Sequence, residues 1–161
     1  MTDWLTRLFR APASTVEAAQ PRDALRLAQL HGASFHRGWS ENEFEQLLAE
    51  RNTLTHTLRE GRRTIGFIIS RLAADEAEIL SVAIDPVRRG RGLSRRLLSH
   101  HLGHLAGLGV RTVFLEVEEN NSPAVRLYQR AGFRVVGQRP RYYAEPNGQT
   151  LNALVMQRDL S

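Results

Sequence analysis

The stretch ILSVAIDPVRRGRGLSRRLL, residues 79–98, decides how this chain folds. It begins as a continuous apolar run, which is typical of a strand buried on both faces, and it changes at Asp85 and Pro86 into arginines and glycines. Leucines at helical spacing follow from Leu93. Glycines at such a junction let the backbone approach a ligand closely, and the first amides of a helix lack intrahelical partners. The junction therefore suits an anion, above all a phosphate.

The elements around this junction predict a mixed sheet. Residues 53–60 and 63–72 read as two strands that turn at Gly61, and residues 76–85 as a third. The leucine-rich helix ends near GLG, residues 107–109, and RTVFLEVE, residues 111–118, reads as the next strand. A strand, a helix and a strand in that order predict a parallel pair joined by a right-handed crossover.

The two ends of the chain complete the layer. A short strand is predicted near residue 16, and a helix that starts at Pro21 has an apolar stripe of Leu25, Leu27, Ala28 and Leu30. Ser40 and Glu43 form a capping box for a helix that runs to about Glu50. After residue 121, Ser122 and Pro123 open a short helix that ends at Gly132, and residues 133–144 and 150–160 read as closing strands. The fold class is α+β with about seven strands.

Composition limits the function classes. A chain of 161 residues fits one domain, and it has no cysteine for disulfides or thiol chemistry. All 22 basic residues are arginine, which excludes a P-loop lysine and Schiff-base chemistry and contributes to a net charge of +5. No apolar run reaches the roughly 18 residues of a membrane span, and no signal peptide is evident, so we expect a cytoplasmic protein without stable membrane association.

Residues 1–10, MTDWLTRLFR, have the pattern of a short amphipathic helix. We divide the chain into an N-terminal amphipathic extension, residues 1–15, and one domain, residues 16–161. The extension has two readings: it packs against the domain, or it is a weak anchor on a membrane or ribosome surface.

Three kinds of phosphate-binding loop are possible at this junction. A Walker loop needs Gly-Lys-Ser or Gly-Lys-Thr, and a dinucleotide fingerprint needs a third glycine where this chain has Arg95. The remaining readings are a cradle of backbone amides from about Arg88 to Ser94, assisted by arginine side chains, and a merely solvated arginine-rich helix start.

Three segments together carry a family resemblance: VAIDPVRRGRGLSRRLL (82–98), VFLEVEENNSPAVRLYQRAGF (113–133) and RYY (141–143). Their spacing resembles the GNAT superfamily of acetyl-CoA-dependent N-acetyltransferases, and most of all the RimI-like enzymes that acetylate the N-terminal amine of ribosomal proteins. SFHRGWSENEF (34–44) is similar to a Trp-Ser-Glu segment of the same enzymes, and the likeness extends from about residue 16 to 158. The resemblance implies the GNAT fold, a seven-stranded mixed sheet with a parallel β-α-β unit at the acetyl-CoA site.

The resemblance implies an acetyl-CoA site at the junction. The loop would hold the pyrophosphate, the backbone of Val82 and Ile84 would line the pantetheine arm, and the next helix would supply the second half of the site. The residues implied in the loop are Arg88, Arg89, Gly90, Arg91, Gly92, Leu93 and Ser94, and those of the second half are Asn121, Ala124 and Leu127. The first loop position, often Gln or Arg in the family, is Val87 here. Because most of the cradle is main chain, we expect this departure to weaken binding without abolishing it.

Glu116 and Tyr128 are the candidate catalytic residues. Along VFLEVE, Glu116 alternates with the apolar Leu115 and Val117, so a carboxylate lies in the middle of a strand. Burying that charge would cost free energy unless it meets solvent or has a function. By resemblance Glu116 is the general base, acting through water, and Tyr128 protonates the coenzyme thiolate. The residues alone also allow an exposed or ion-paired glutamate and a tyrosine that only closes the core.

The acceptor follows from the cost of deprotonation. An N-terminal amine has a pKa of about 8 and a lysine amine about 10.4, so neutral lysine costs roughly 3 kcal/mol more at pH 7. A protein N terminus is therefore the expected acceptor, with Trp39, Arg141, Tyr142 and Tyr143 shaping a groove for an extended peptide. The alternatives are a small amine, a lysine side chain, or a coenzyme-binding or RNA-associating module without turnover; nucleic acid is not required as a partner.

Six histidines raise the question of a metal site. His100, His101 and His104 lie on one predicted helix, and His100 and His104 share a face. No third ligand or glutamate motif accompanies them, so we predict ordinary surface histidines and no metal.

Overall fold

The computed structural model describes residues 13–144 and 150–160. Its strands are β1 (Ser14–Ala18), β2 (Thr53–Glu60), β3 (Arg63–Ala73), β4 (Glu76–Ile84), β5 (Thr112–Glu118), β6 (Arg134–Ala144) and β7 (Thr150–Asp159). Its helices are α1 (Ala24–Ser34), α2 (Glu41–Ala49), α3 (Leu93–Gly107) and α4 (Ser122–Arg130), with short 3-10 turns at Pro21–Asp23 and Pro86–Arg88. The predicted seven-stranded mixed architecture is confirmed. The helix predicted over residues 1–10 lies outside the described residues, and the division after residue 15 stays a prediction.

The sheet has the order β1-β2-β3-β4-β5-β7-β6, and β4 and β5 are its parallel pair among the residues that the structure describes. Residues Glu76–Ile79 of β4 pair in parallel with Thr112–Leu115 of β5, as the crossover through α3 predicts. Beyond these residues β4 continues to Ile84 and β5 to Glu118, but the two strands no longer pair with each other. We call the gap between residues 80–84 and 116–118 the cleft.

A β-bulge marks the point where the cleft begins. Ile79 is opposite Ser70 and Ser81 is opposite Ile69, so Leu80 is an additional residue without a partner on β3. Ile79 is buried in the core on one face of the sheet, while Leu80 packs against the core on the other face. The bulge therefore changes the direction of β4 side chains just as the strand leaves its parallel neighbour.

Each face of the sheet has its own core. Beneath α3 and α4 the core contains Leu97, Leu98, Leu105 and Tyr128, whereas α1 and α2 cover a smaller cluster that includes Phe44. The apolar stripe predicted for α1 is wrong at one position: Leu25 is 51% exposed, and the buried residues of the helix are Ala24, Leu27, Leu30 and His31. Relative to the predicted stripe, the helix is rotated about its axis, and His31, which the stripe did not include, lies in the core.

The predicted capping box of α2 is confirmed. The Glu43 N–H donates to Ser40 Oγ at 3.1 Å, and the Ser40 N–H donates to Glu43 Oε2 at 2.7 Å. These two bonds satisfy backbone donors that the first turn leaves free, and they set the start of the helix immediately after Trp39.

Candidate active site

The loop between β4 and α3 is shaped by two glycines and one buried carboxylate. Gly90 has φ of 80° and Gly92 has φ of 72°, a left-handed conformation that costs other residues about 1–2 kcal/mol. Asp85 accepts from the Val87 N–H at 3.2 Å and from Arg26 Nη2 at 3.1 Å. Burial alone would raise the pKa of Asp85, but that hydrogen bond and the guanidiniums of Arg26 and its neighbour Arg63 hold the pKa below its usual value. Asp85 is therefore ionised, and its hydrogen bond with the Val87 N–H anchors the start of the loop.

A cavity of about 380 Å³, which we call the loop pocket, opens between this loop and α4. It is lined by Ile84, Arg88, Arg89, Gly90, Gly92, Leu93, Ser94, Arg95, Pro123, Arg126, Leu127 and Arg130. Five of these residues are arginines and none is acidic, so the pocket is built for an anion. Two arginines are also held in place: Arg88 Nε lies 3.0 Å from Glu60 Oε2, and Arg89 Nη2 donates to Ser34 Oγ at 2.9 Å.

The structure brings most of the residues implied for the coenzyme to the loop pocket. Arg91 is the loop residue that does not line it, and Val82 is half-buried against the core. Asn121 instead caps α4, because its Oδ1 accepts from the Ala124 N–H at 3.3 Å, and neither of these two residues lines the pocket.

The prediction omitted four residues of the loop pocket: Arg95, Pro123, Arg126 and Arg130. Arg126 and Arg130 are four residues apart, and this spacing places both side chains on one face of α4. The sequence carried that signal. What it lacked was the packing that turns this face toward the loop.

A second cavity, of about 270 Å³, lies where the cleft begins, and we call it the strand pocket. Its lining consists of Trp39, Leu47, Arg71, Glu78, Ile79, Leu80 and Glu116. The predicted base and the predicted groove tryptophan therefore meet in one cavity. The cavity contains two carboxylates, in contrast to the loop pocket.

A buried histidine holds Trp39 in the wall of the strand pocket. The rings of His31 and Trp39 stack with centroids 4.4 Å apart, and the backbone N–H of Trp39 donates to His31 Nδ1 at 3.0 Å. Burial lowers the pKa of His31 to about 4, and the nearby Glu43 offsets only part of this effect. The imidazole is therefore neutral near pH 7, as an acceptor nitrogen must be.

Glu116 is fixed by an ion pair across the sheet. Its Oε1 lies 2.9 Å from Nη1 of Arg139 on β6, and its side chain is 24% exposed. The carboxylate thus combines access to solvent in the strand pocket with a defined orientation. A glutamate in this setting can receive a proton from an amine through water.

Tyr128 lies in the core beneath α3 and α4, and it lines neither pocket. Its ring meets Phe133 edge-on, with centroids 5.8 Å apart. Ile84 belongs to the same core as Tyr128, and Leu127 packs against that core. Both Ile84 and Leu127 also line the loop pocket. Burial raises the pKa of Tyr128 to about 12, so the phenol keeps its proton and can donate it in a hydrogen bond.

The other groove residues cannot be placed in full. The backbone of residues 141–143 continues β6, but the side chains of Arg141, Tyr142 and Tyr143 lie outside the described residues. Their roles stay predictions.

The prediction of surface histidines on the leucine-rich helix is wrong for His101, which is fully buried. Its Nδ1 lies 2.8 Å from Nδ1 of His56, and its Nε2 lies 2.7 Å from Ser70 Oγ. Burial, followed by the neighbouring histidines, lowers the pKa of His56 to about 4 and that of His101 to about 3. Both rings are neutral, and they form a buried polar network between β2, β3 and α3. Within the described range, no three metal-binding side chains are positioned around a common point for an ion.

Comparison with known proteins identifies the family of this fold and site. Residues 24–133 match the acetyltransferase (GNAT) family, which is more than half of the chain. This chain belongs to the GNAT acetyltransferase family. A relative from Haemophilus influenzae, named [ribosomal protein bS18]-alanine N-acetyltransferase, is 35% identical over 143 residues, which cover 89% of this chain and 97% of that protein.

Solved structures of GNAT enzymes have the same fold. The crystal structure of the ribosomal-protein-S18-alanine N-acetyltransferase from Escherichia coli superposes with a TM-score of 0.85 and 28% identity, covering 92% of this chain and 95% of that chain. Arabidopsis thaliana NAA60 in complex with acetyl-CoA is 22% identical with a TM-score of 0.80, covering 92% and 99% of the two chains, and it supports the fold alone. Among the described residues of the present GNAT domain, no helix is long and apolar enough to cross a membrane.

Proposed function

We propose that this GNAT enzyme transfers the acetyl group of acetyl-CoA to the N-terminal amine of a protein. The observation that carries the proposal is a pair of pockets at the two ends of the unpaired part of β4. The loop pocket, at Ile84, has five arginines and no acid, and the strand pocket, at Leu80, has Glu78 and Glu116 beside an arginine, Arg71, that is paired with Glu50. An anionic coenzyme and a cationic amine need such a pair of sites. The relatives named for alanine N-acetylation of ribosomal protein bS18 favour a ribosomal-protein N terminus as acceptor.

The loop fits the coenzyme's pyrophosphate. Gly90 and Gly92 have no atoms within 4 Å of the position of an added Cβ, so the backbone there is open to a ligand. The amides of the loop and of the first turn of α3 would bind the pyrophosphate oxygens, and Arg126 and Arg130 would add charge from α4. When bound, acetyl-CoA supplies the activated thioester.

In this proposal Glu116 receives the proton of the amine and Tyr128 stabilises the departing thiolate. The amine nitrogen forms a bond to the acetyl carbon while the carbon–sulfur bond breaks, and the nitrogen's proton passes through water to Glu116. Tyr128 donates a hydrogen bond to the departing sulfur and stabilises its negative charge. Its raised pKa, about 12, favours a proton donor at every pH near neutrality.

The acceptor is tested by intact-mass measurement with acetyl-CoA and three substrate groups. They are N-terminal peptides of ribosomal proteins that begin with alanine, the same peptides with a blocked N terminus and an internal lysine, and small amines. We expect one acetyl group on the free N-terminal peptides and none on the blocked ones. Acetylation of lysine or small amines alone would reject the protein N terminus, and coenzyme binding without turnover of any acceptor would support a binding module instead. A cytoplasmic location fits a ribosomal acceptor and stays a prediction.

A further inference from the structure

Glu78 is the residue of the strand pocket to which the mechanism assigns no part. It is on β4 just before the bulge, where Ala77 and Ile79 on either side of it are buried in the core beneath α3. Alternation along the strand therefore directs Glu78 to the opposite face, which is also the face of Glu116 on β5. Two carboxylates from neighbouring strands thus enter one cavity at the start of the cleft.

Of the three charged residues that line this cavity, two have ion-pair partners. Arg71 Nη2 lies 3.3 Å from Glu50 Oε2, and Glu116 is held by Arg139 at 2.9 Å. Within residues 13–144 and 150–160, Glu78 has neither an ion pair nor a side-chain hydrogen bond. Arg71 is opposite Glu78 in the register between β3 and β4 and lines the same pocket, but its ion pair is with Glu50. Glu78 therefore adds a negative charge to the strand pocket without an ion pair of its own in this range, and a cationic acceptor would supply one.

We propose that Glu78 is the acceptor-binding carboxylate, which holds the N terminus as an ammonium ion before Glu116 receives its proton. This inference rests on the proposed function. An N-terminal amine with a pKa of about 8 arrives at pH 7 mostly protonated, and it has three N–H donors to share between two carboxylates. In this arrangement Glu78 binds the ammonium ion, and Glu116 removes its proton in a separate step.

This role also makes Glu78 a determinant of specificity. An acidic residue near the acceptor's N terminus would approach Glu78 and be repelled, because both carry a negative charge. Peptides that begin with Ala-Gln should therefore react better than those that begin with Ala-Glu. Loss of the Glu78 charge should narrow this difference.

The test compares Glu78→Gln with Glu76→Gln. Both residues are exposed on β4 and precede the bulge, and each variant loses one negative charge, but only Glu78 lines the strand pocket. For Glu78→Gln we expect the KM of the peptide to rise about tenfold, kcat to change less than about threefold, and the Ala-Gln to Ala-Glu preference to shrink. The KM of acetyl-CoA should not change, Glu76→Gln should match the unmodified enzyme in every constant, and Glu78→Asp should recover part of the affinity.

The outcomes separate this inference from the proposed function. If Glu78→Gln matches Glu76→Gln in an enzyme that acetylates N-terminal peptides, the role of Glu78 is rejected and the function stands. A fall in kcat with an unchanged peptide KM would also reject it, because that result places Glu78 in the proton transfer. If the unmodified enzyme acetylates no N-terminal peptide, the proposed function is overturned and this role with it.

Discussion

The loop pocket and the strand pocket differ in charge and in the way each is built. The loop pocket has five arginines and no acid, and its core is the backbone of a glycine loop anchored by Asp85. In the strand pocket, by contrast, two glutamates and a tryptophan come from separate elements, with Glu116 held by Arg139 and Trp39 by His31. One site depends on main-chain conformation and the other on side-chain packing. Substitutions in the two sites should therefore affect different kinetic constants.

The largest expected effect is on the strand pocket and its base. Glu116→Gln keeps the shape of the side chain but cannot accept the proton, so we expect kcat to fall about 100- to 10,000-fold. The KM of acetyl-CoA should stay within about threefold, because Glu116 does not line the loop pocket. Glu118→Gln is the matched control, since Glu118 is on the same strand and face but is exposed outside the pocket. Steady-state kinetics with a loss in kcat below about tenfold would remove Glu116 from the role of base.

The next largest effect is on folding stability, because the folded protein keeps His31 neutral in the wall of the strand pocket. The unfolded histidine has a pKa of about 6.5 and the folded one about 4, so between these values the unfolded state binds more protons. The contribution of His31 to the free energy of unfolding should therefore fall as the pH falls below 6.5, and it should level off near pH 4. The slope approaches about 1.4 kcal/mol per pH unit only below pH 6, so His31 contributes a loss of roughly 1.6 kcal/mol between pH 6.5 and 5.

Urea unfolding at several pH values measures this slope. His31→Gln, which does not titrate, should reduce the slope, and the variant of an exposed histidine, His36→Gln, is the control. His56 and His101, buried beside α3, should act in the same direction. A slope that is the same in His31→Gln and in the unmodified protein would contradict a neutral, buried His31.

The smallest expected effect is on the loop pocket. Gly92→Ala places a side chain at φ of 72°, which costs about 1–2 kcal/mol and should raise the KM of acetyl-CoA about tenfold while the peptide KM stays unchanged. Gly103→Ala is the control, because Gly103 lies within α3 with open space at its Cβ position and helical alanine is more stable by about 0.5–1 kcal/mol. Equal KM values in the two variants would show that the left-handed conformation is not needed for coenzyme binding.

The fold was predictable because its signals are local. The capping box at Ser40 and Glu43, the turn at Gly61, and the glycines of the loop each act within a few residues of the chain, and each is present in the structure as expected. The orientation of α1 was not predictable in this way. Leu25 is exposed and His31 is buried, because the imidazole stacks on Trp39 and meets Phe44 edge-on, and both of these rings lie beyond the end of the helix.

By itself, the sequence determined the order and type of the elements, the parallel crossover and the glycine loop, because periodicity, glycine and capping act over short distances. Glu116 became the candidate base only through the resemblance of its segment to the GNAT enzymes. Only the tertiary structure decided that Arg126 and Arg130 face the loop, that His56 meets His101, and that Glu78 shares a cavity with Glu116. These pairings join residues on different elements, and their geometry depends on strand register, on the bulge at Leu80 and on the rotation of each helix. Such quantities are set by the packing of the whole core, and no short segment of the chain specifies them.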